Sequence, residues 1–190
     1  MPSFHVLIAT TGRPSLQNML ESLIPQLRAC DHISIVFDDA KAEDSPFVRK
    51  IQESATSVCK IHIHEQSPKL GSWGHGIRNE YAKRLERTDF VMHADDDDTY
   101  TENAFDTLRN LCKNSLCLYI AKMRRRGTLY PLYDYIKEGE IGTPCGIIPY
   151  DLNRIGQWLP RMGGDGKFYE TISKRAKFVK MLNHCIYIAN

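Results

Sequence analysis

Several kinds of protein are ruled out by what this sequence lacks. Its six cysteines (Cys30, Cys59, Cys112, Cys117, Cys145, Cys185) contain no Cys-x-x-Cys pair. That spacing points to neither a zinc site of that type nor a small disulfide scaffold. No apolar run approaches the length of a membrane span, and the cleanest stretch near the start is only Val6 to Ala9. Arg13 and Pro14 follow that stretch at once, so no signal peptide is expected. There is also no strong charge of one sign. Lys and Arg total 25 against 23 for Asp and Glu, a formal net charge of +2. Such a balance disfavours bulk nucleic acid or an anionic membrane surface as partner. Internal repeats, low-complexity tracts and flexible linkers are absent too. One domain over residues 1–190 is the expectation, long enough to bury a core without staples. The same features predict a soluble, cytoplasmic protein with reduced, buried thiols.

What is present reads as alternating strands and helices. Phe4–Thr10, Ile33–Phe37, Lys60–His64 and Phe90–Met92 are short apolar or alternating runs suited to strands. On the third of these, Ile61 and Ile63 share one face while His62 and His64 share the other. Between the strands, Leu16, Met19, Leu20 and Leu23, then Phe47, Val48 and Ile51, recur at helical spacing. A Gly-rich turn, Leu70-Gly71-Ser72-Trp73-Gly74-His75-Gly76, opens a helix with Ile77, Tyr81 and Leu85. Another helix carries Ala104, Phe105, Leu108 and Leu111. This βαβ repetition predicts an α/β fold, a mostly parallel sheet with helices on both faces. The second half changes character. A strand over Leu116–Met123 leads into Gly- and Pro-punctuated segments, a short helix at Leu152–Gln157, a helix from Lys167 and a last strand, Phe178–Ile188. Lys122, Arg124 and Arg126 alternate, which predicts a shared strand face.

The strongest chemical signal is Asp95-Asp96-Asp97-Asp98, directly after a buried strand. Four adjacent carboxylates repel one another and do nothing for folding. In open α/β sheets, binding crevices lie beyond the carboxyl ends of the strands, where this run falls. Clustered carboxylates there suit a hard cation, Mn²⁺ or Mg²⁺, with phosphate oxygens completing its shell. The plain alternative is a solvated loop in which Asp98 or Thr101 caps the next helix.

Ala94-Asp95-Asp96-Asp97-Asp98-Thr99-Tyr100 resembles the Asp-x-Asp metal signature of nucleotide-sugar glycosyltransferases of GT-A fold, particularly the family-2-like inverting enzymes. The likeness runs through Thr10-Thr11-Gly12-Arg13-Pro14, Asp38-Asp39, the Gly-rich turn with Arg78-Asn79, Gly163-Gly164-Asp165-Gly166 and a late His184. Among such enzymes, the small glycosyltransferase domains of large DNA viruses of algae are the expected close relatives, which would place the chain in host cytoplasm and allow it to be part of a longer multidomain protein.

The resemblance implies a GT-A domain with a nucleotide-binding half, 1–113, and an acceptor-side half, 114–190. It implies a UDP-sugar donor, a glycan or other hydroxyl acceptor, and a metal held by Asp97, with the register open by one residue. Asp95 and Asp96 would lie near the ribose, and Asp39 would accept the N3 hydrogen of uracil. Thr10, Thr11 and Arg13 would line the base and ribose pocket. Gly71, Trp73, Arg78 and Asn79 would face the crevice. Asp165 would be the catalytic base, although Gly-Gly-Asp-Gly departs from the Glu-Asp pair common in the family. Two readings stand for His184, an extra metal ligand or a core histidine. Trp73 is likewise either a ligand cover or a half-buried core residue, and Asp38 or Asp39 either a ligand contact or a helix cap.

Two other functions fit parts of the sequence. Asp95-x-Asp97-x-Thr99 also matches the nucleophile motif of haloacid-dehalogenase-type phosphatases, but three strand–helix units precede it where that fold expects none. A non-catalytic nucleotide-sugar binding module would keep the acidic run and have no use for Asp165.

Overall fold

In the computed structural model, which describes residues 1–55 and 58–190, the apolar runs of the first half become parallel strands. β1 (Phe4–Thr10) pairs with β2 (His32–Asp38) on one side and β4 (Phe90–Asp95) on the other, and β3 (Lys60–Gln66) lies outside β2. Period-two side-chain placement then sorts this sheet into two faces. Phe4, Val6, Ile8, Ile33, Ile35, Phe37 and Met92 pack beneath α1 (Leu16–Leu23), α2 (Pro46–Ala55) and α4 (Ala104–Leu111). Leu7, Val36 and Val91 pack on the other face with α3 (His75–Tyr81) through Ile77 and Tyr81. Helices on both faces explain why the central strands are buried throughout.

The second half extends the same sheet with mixed strands. β8 (Gly146–Pro149) runs antiparallel to β4 and to β6 (Cys117–Arg125), and β9 (Phe178–Ala189) runs parallel to β6. Among the described residues the order is β3-β2-β1-β4-β8-β6-β9-β5, with β7 (Thr128–Tyr130) beside β6. The short β5 (Thr99–Tyr100) pairs with the far end of β9, so the last strand returns to the acidic run. α5 (Tyr150–Ile155) follows β8, and α6 (Gly164–Ser173) sets Phe168, Tyr169 and Ile172 against Trp158 and the core. Among the described residues, no helix is long and apolar enough to cross a membrane.

Two local expectations are corrected. α6 begins at Gly164, not Lys167, because Gly163 adopts a left-handed φ of 75° and turns the chain into the helix. β6 ends at Arg125, which leaves Arg126 out of the strand face expected for Lys122, Arg124 and Arg126, and the irregular pairing around Lys122 and Met123 places its extra residues on β9. Lys122 donates to the Pro131 carbonyl, and Arg126 lies beyond the strand with a positive φ.

His93 on β4 is fully enclosed, with Trp158 and Phe168 edge-on at 4.9 and 6.2 Å. Its Nε2–H donates to Asn153 Oδ1 at 2.8 Å. Burial pushes its imidazole down to about 3, with nearby Arg78 adding to the effect. The folded state thus keeps His93 neutral where the unfolded chain, with an ordinary value near ~6.5, takes up a proton. Stability from this group is present above that value and is lost as pH falls toward 3. In His93→Gln, the loss of unfolding free energy between pH 7 and pH 5 should shrink by about 2 kcal/mol, as read by denaturant titration. An unchanged difference would show that His93 protonates freely in the folded protein.

Candidate functional site

An open cleft of ≈ 1040 Å³ lies beyond the carboxyl ends of β1, β2 and β4. That volume is at the upper end of ordinary small-molecule sites. Its floor is the acidic run. β4 ends at Asp95, Asp96–Asp98 form a turn, and β5 follows, so four carboxylates sit within one reversal of the chain.

Cations from two separate elements hold this charge. Arg78, completely buried on α3, pairs with Asp95 and donates to the Trp73 carbonyl at 2.9 Å. Arg13, in the turn after β1, grips Asp96 and reaches Asp97 Oδ2 at 3.0 Å. The Thr10 hydroxyl donates to Asp96 Oδ2 at 2.6 Å, which leaves Asp96 buried and committed to protein partners. Asp97 is half-exposed, and its Oδ1 has no hydrogen-bond partner among the described residues. Asp98 is buried and accepts the Asn190 N–H at 2.9 Å. Burial chiefly, with the charges of Asp95 and Asp97, pushes the Asp98 carboxyl up to about 7. Two guanidinium groups, those of Arg78 and Arg13, stand against the four carboxyl groups of the run. Neither Asp98 nor Thr101 caps α4. The helix starts after Asn103, which makes no side-chain cap, and Thr101 donates to the Cys185 carbonyl.

The donor set fits a hard divalent cation. Asp97 offers an oxygen toward the cleft, Asp95 is one-third exposed beside it, and the excess charge is of the sign a cation relieves. Tyr187 of β9 fixes the geometry from beneath, since its hydroxyl accepts from the Asp95 N–H at 3.0 Å.

The Gly-rich turn forms a second wall. Asp38 binds the N–H groups of Leu70 and Gly71, each at 2.7 Å, and so holds the turn to the end of β2. It caps no helix. Gly74 takes a φ of +79°, and a Cβ there would come within 2.8 Å of Ala9 Cβ, so only glycine lets α3 start this close to β1. Trp73 stands 68% exposed on the cleft wall, which excludes the core reading. His75 lines the cleft beside it. Its Nδ1–H donates to the Leu159 carbonyl at 2.6 Å, and burial pushes its imidazole below the usual range.

The third wall comes from the second half: Met123 and Arg125 of β6, Thr143 and Pro144, and the 160–165 segment. Asp165 lines the cleft from the first turn of α6, with its Oδ1 accepting the Gly166 N–H at 2.8 Å. Gly164 lies under it with no room for a Cβ, which would meet the Leu159 carbonyl at 2.2 Å.

Of the residues expected at the site, Thr10, Thr11, Arg13, Gly71, Trp73, Asp95, Asp96, Asp97 and Asp165 therefore line one cleft. Four do not. Asp39 is turned outward by a φ of 59° and accepts the Ser67 hydroxyl, so its neighbour Asp38 lines the cleft in its place. Arg78 lies beneath the floor as its anchor. Asn79 points away and clamps the Trp158 backbone through two hydrogen bonds, 2.7 and 2.8 Å. His184 is exposed on β9, outside both the core and the cleft lining. Sequence reading passed over Lys69, His75 and Arg125, which do line the cleft. The available signal for Arg125 was its alternation with apolar Met123, on the same face.

Replacing Arg78 by Leu should leave Asp95 without its cation and destabilise the fold by roughly 2–3 kcal/mol. That is below the ~3–5 kcal/mol of a fully buried pair, since water reaches Asp95. In an Arg78→Leu/Asp95→Leu double variant, denaturant unfolding should recover much of that loss. No recovery would mean the guanidinium acts only through Trp73 and the packing on Trp158.

No protein-family model and no curated protein sequence matches the chain. Solved structures do. S. aureus TarS 1-349 superposes with a TM-score of 0.75 at 16% identity, over 99% of this chain and 60% of that one. Its complex with UDP-GlcNAc gives 0.74 at 15% identity, over 100% and 58%. The mannosyltransferase PcManGT from Pyrobaculum calidifontis, in complex with GDP-Man and Mn²⁺, gives 0.74 at 12% identity, over 99% and 56%. The chain thus spans about three-fifths of the length of these structures. At such identities the likeness is one of architecture, and the sheet described above is a GT-A glycosyltransferase fold.

Proposed function

We propose that this chain is a glycosyltransferase that moves a sugar from a UDP-sugar to a hydroxyl acceptor, with inversion at the anomeric carbon. The observation that carries the reading is that Asp165 and the partly neutralised acidic run line the same cleft. A binding module needs the second feature and not the first. Neighbours of the same fold hold UDP-GlcNAc, or GDP-Man with Mn²⁺, which supports a nucleotide-sugar donor as the class. The phosphatase alternative is dropped, since its nucleophile would be Asp95, which Arg78 holds at the end of the fourth strand.

Residues 1–113 would bind the nucleotide and residues 114–190 would present the acceptor. Asp97, with Asp95 beside it, would hold Mn²⁺ or Mg²⁺. When bound, the cation neutralises charge developing on the departing diphosphate. Arg13 keeps Asp96 and Asp97 in place, and Trp73 covers the donor from the Gly-rich wall. Lys69 and Arg125 add positive charge at the cleft for phosphate oxygens. Asp165 takes the acceptor's hydroxyl proton as that oxygen attacks the anomeric carbon, while the bond to the diphosphate oxygen breaks and UDP departs. Its carboxylate also stabilises the oxocarbenium-like transition state.

Asp165→Asn preserves shape and should lower kcat by ~10²–10⁴-fold, leaving donor affinity nearly unchanged. Transfer within a few-fold of wild type would remove Asp165 as the base and leave it the lesser role of favouring the amino end of α6. Asp97→Asn should weaken Mn²⁺-dependent UDP binding by at least the ~10–100-fold seen when a supporting metal contact is lost, as read by calorimetry. Unaltered binding would move the cation to another carboxylate of the run.

A further inference from the structure

On the face of the sheet that carries α3, the amino ends of the first three strands are lined with histidines. His5 on β1, His32 on β2 and His62 on β3 stack side by side, with ring centroids 5.1, 5.4 and 5.8 Å apart. Glu86, in the connection from α3 to β4, reaches the same spot. Its Oε2 is 3.5 Å from His32 Nδ1 and its Oε1 is 3.8 Å from His62 Nε2. The two imidazole nitrogens are themselves 3.2 Å apart.

One ligand atom from each of the three residues can be chosen so that all of them lie within 4.8 Å of one another. A tetrahedral zinc ion with bonds of about 2.0–2.1 Å has ligand-to-ligand edges of about 3.3–3.4 Å. The imidazole pair, at 3.2 Å, lies close to that edge, and the half-exposed Glu86 carboxylate, with one oxygen near each ring, can turn a single oxygen toward both. We propose that His32, His62 and Glu86 form a binding site for a divalent transition-metal ion, with zinc favoured by the two-imidazole, one-carboxylate donor set. The fourth position opens to solvent, since Glu86 is half-exposed and His62 about one-quarter exposed.

The surroundings fit this role. His5 is a supporting residue rather than a ligand, because both its nitrogens are engaged. Nδ1–H donates to the Glu86 carbonyl at 3.1 Å, and that fixes the tautomer so that Nε2 accepts the Ser34 hydroxyl at 2.8 Å. It therefore holds the backbone that carries Glu86. Burial pushes the His32 imidazole below its usual range, the direction that favours the neutral, ligating form. The competing cation is Lys60, whose Nζ lies 3.5 Å from Glu86 Oε2 on an exposed side chain free to turn into solvent. The site is on the order of 20 Å from the acidic run, one strand length away. Bound metal would tie the outer strand β3 to β2 and to the segment entering β4, stabilising the nucleotide-side half of the sheet.

Cobalt(II) is the probe, added to tag-free protein, because four-coordinate Co²⁺ gives intense visible d–d bands, whereas six-coordinate Co²⁺ in an oxygen site of the Mn²⁺ type absorbs only weakly. Wild type should develop these bands at one equivalent, and Zn²⁺ should bleach them. Asp97→Asn should keep them, and Zn²⁺ should raise the Tm of both proteins. His62→Gln and Glu86→Gln should lose the bands, with Co²⁺ affinity down at least tenfold. Glu86 is exposed enough that its variant folds whatever happens to His62→Gln. Absence of bands in wild type, or their survival in Glu86→Gln, would overturn the proposal and leave the histidines as a hydrogen-bonded stack.

Discussion

Four consecutive aspartates at the end of a buried strand are an electrostatic cost that the rest of the fold is arranged to offset. Arg78 rises from beneath to Asp95, and Arg13 folds over from β1 to Asp96 and Asp97. Each cation imposes requirements on the chain around it. Arg78 can reach the strand end only because Gly74 lets α3 begin against Ala9. The same guanidinium holds the Trp73 carbonyl and lies 5.2 Å over the Trp158 ring. One buried side chain thus connects the acidic floor, the exposed Trp73 and the hydrophobic support of the third wall.

The second half closes the site through packing rather than charge. Trp158 stacks on Phe168 at 4.1 Å, its backbone is clamped by Asn79, and His93 and His75 lie against it. This cluster sets α6 against the first half and carries Asp165 to the cleft. From the far side, β9 brings Tyr187 under Asp95 and Asn190 to Asp98. The compensation is incomplete. Burial and neighbouring charge still push the Asp98 carboxyl up to about 7, and a cation in the cleft is the natural counter-charge.

Much of this was legible beforehand, for a physical reason. Buried parallel strands and amphipathic helices must repeat at periods of 2 and about 3.6 residues, so β1 to β4 and α1 to α4 were visible as patterns. The acidic run stood out because like charge at a strand end has no structural use. Periodicity, however, stops where strands stop. Asp38 and Asp39 look equivalent in sequence, yet a left-handed φ at Asp39 turns one outward and leaves the other to hold Leu70 and Gly71. Arg78 and Asn79 were expected to face the crevice but lie beneath and behind it, which needs three-dimensional packing to see. On β6 the cleft takes Met123 and Arg125, and Lys122 and Arg124 of the basic alternation stay outside its lining. His184 had only its position near the end of the chain to recommend it, and that position is on an exposed strand face.

The central claim is that this cleft binds a nucleoside diphosphate with a divalent cation at the acidic run. The chain reports on it by itself, since Trp73 stands on the cleft wall while Trp158 is buried. Titrating UDP while following tryptophan emission should give a saturable change in the presence of Mn²⁺. The change should disappear in EDTA and in Trp73→Phe. Emission that ignores UDP with Mn²⁺ present, or that responds equally with the metal chelated, would contradict the account.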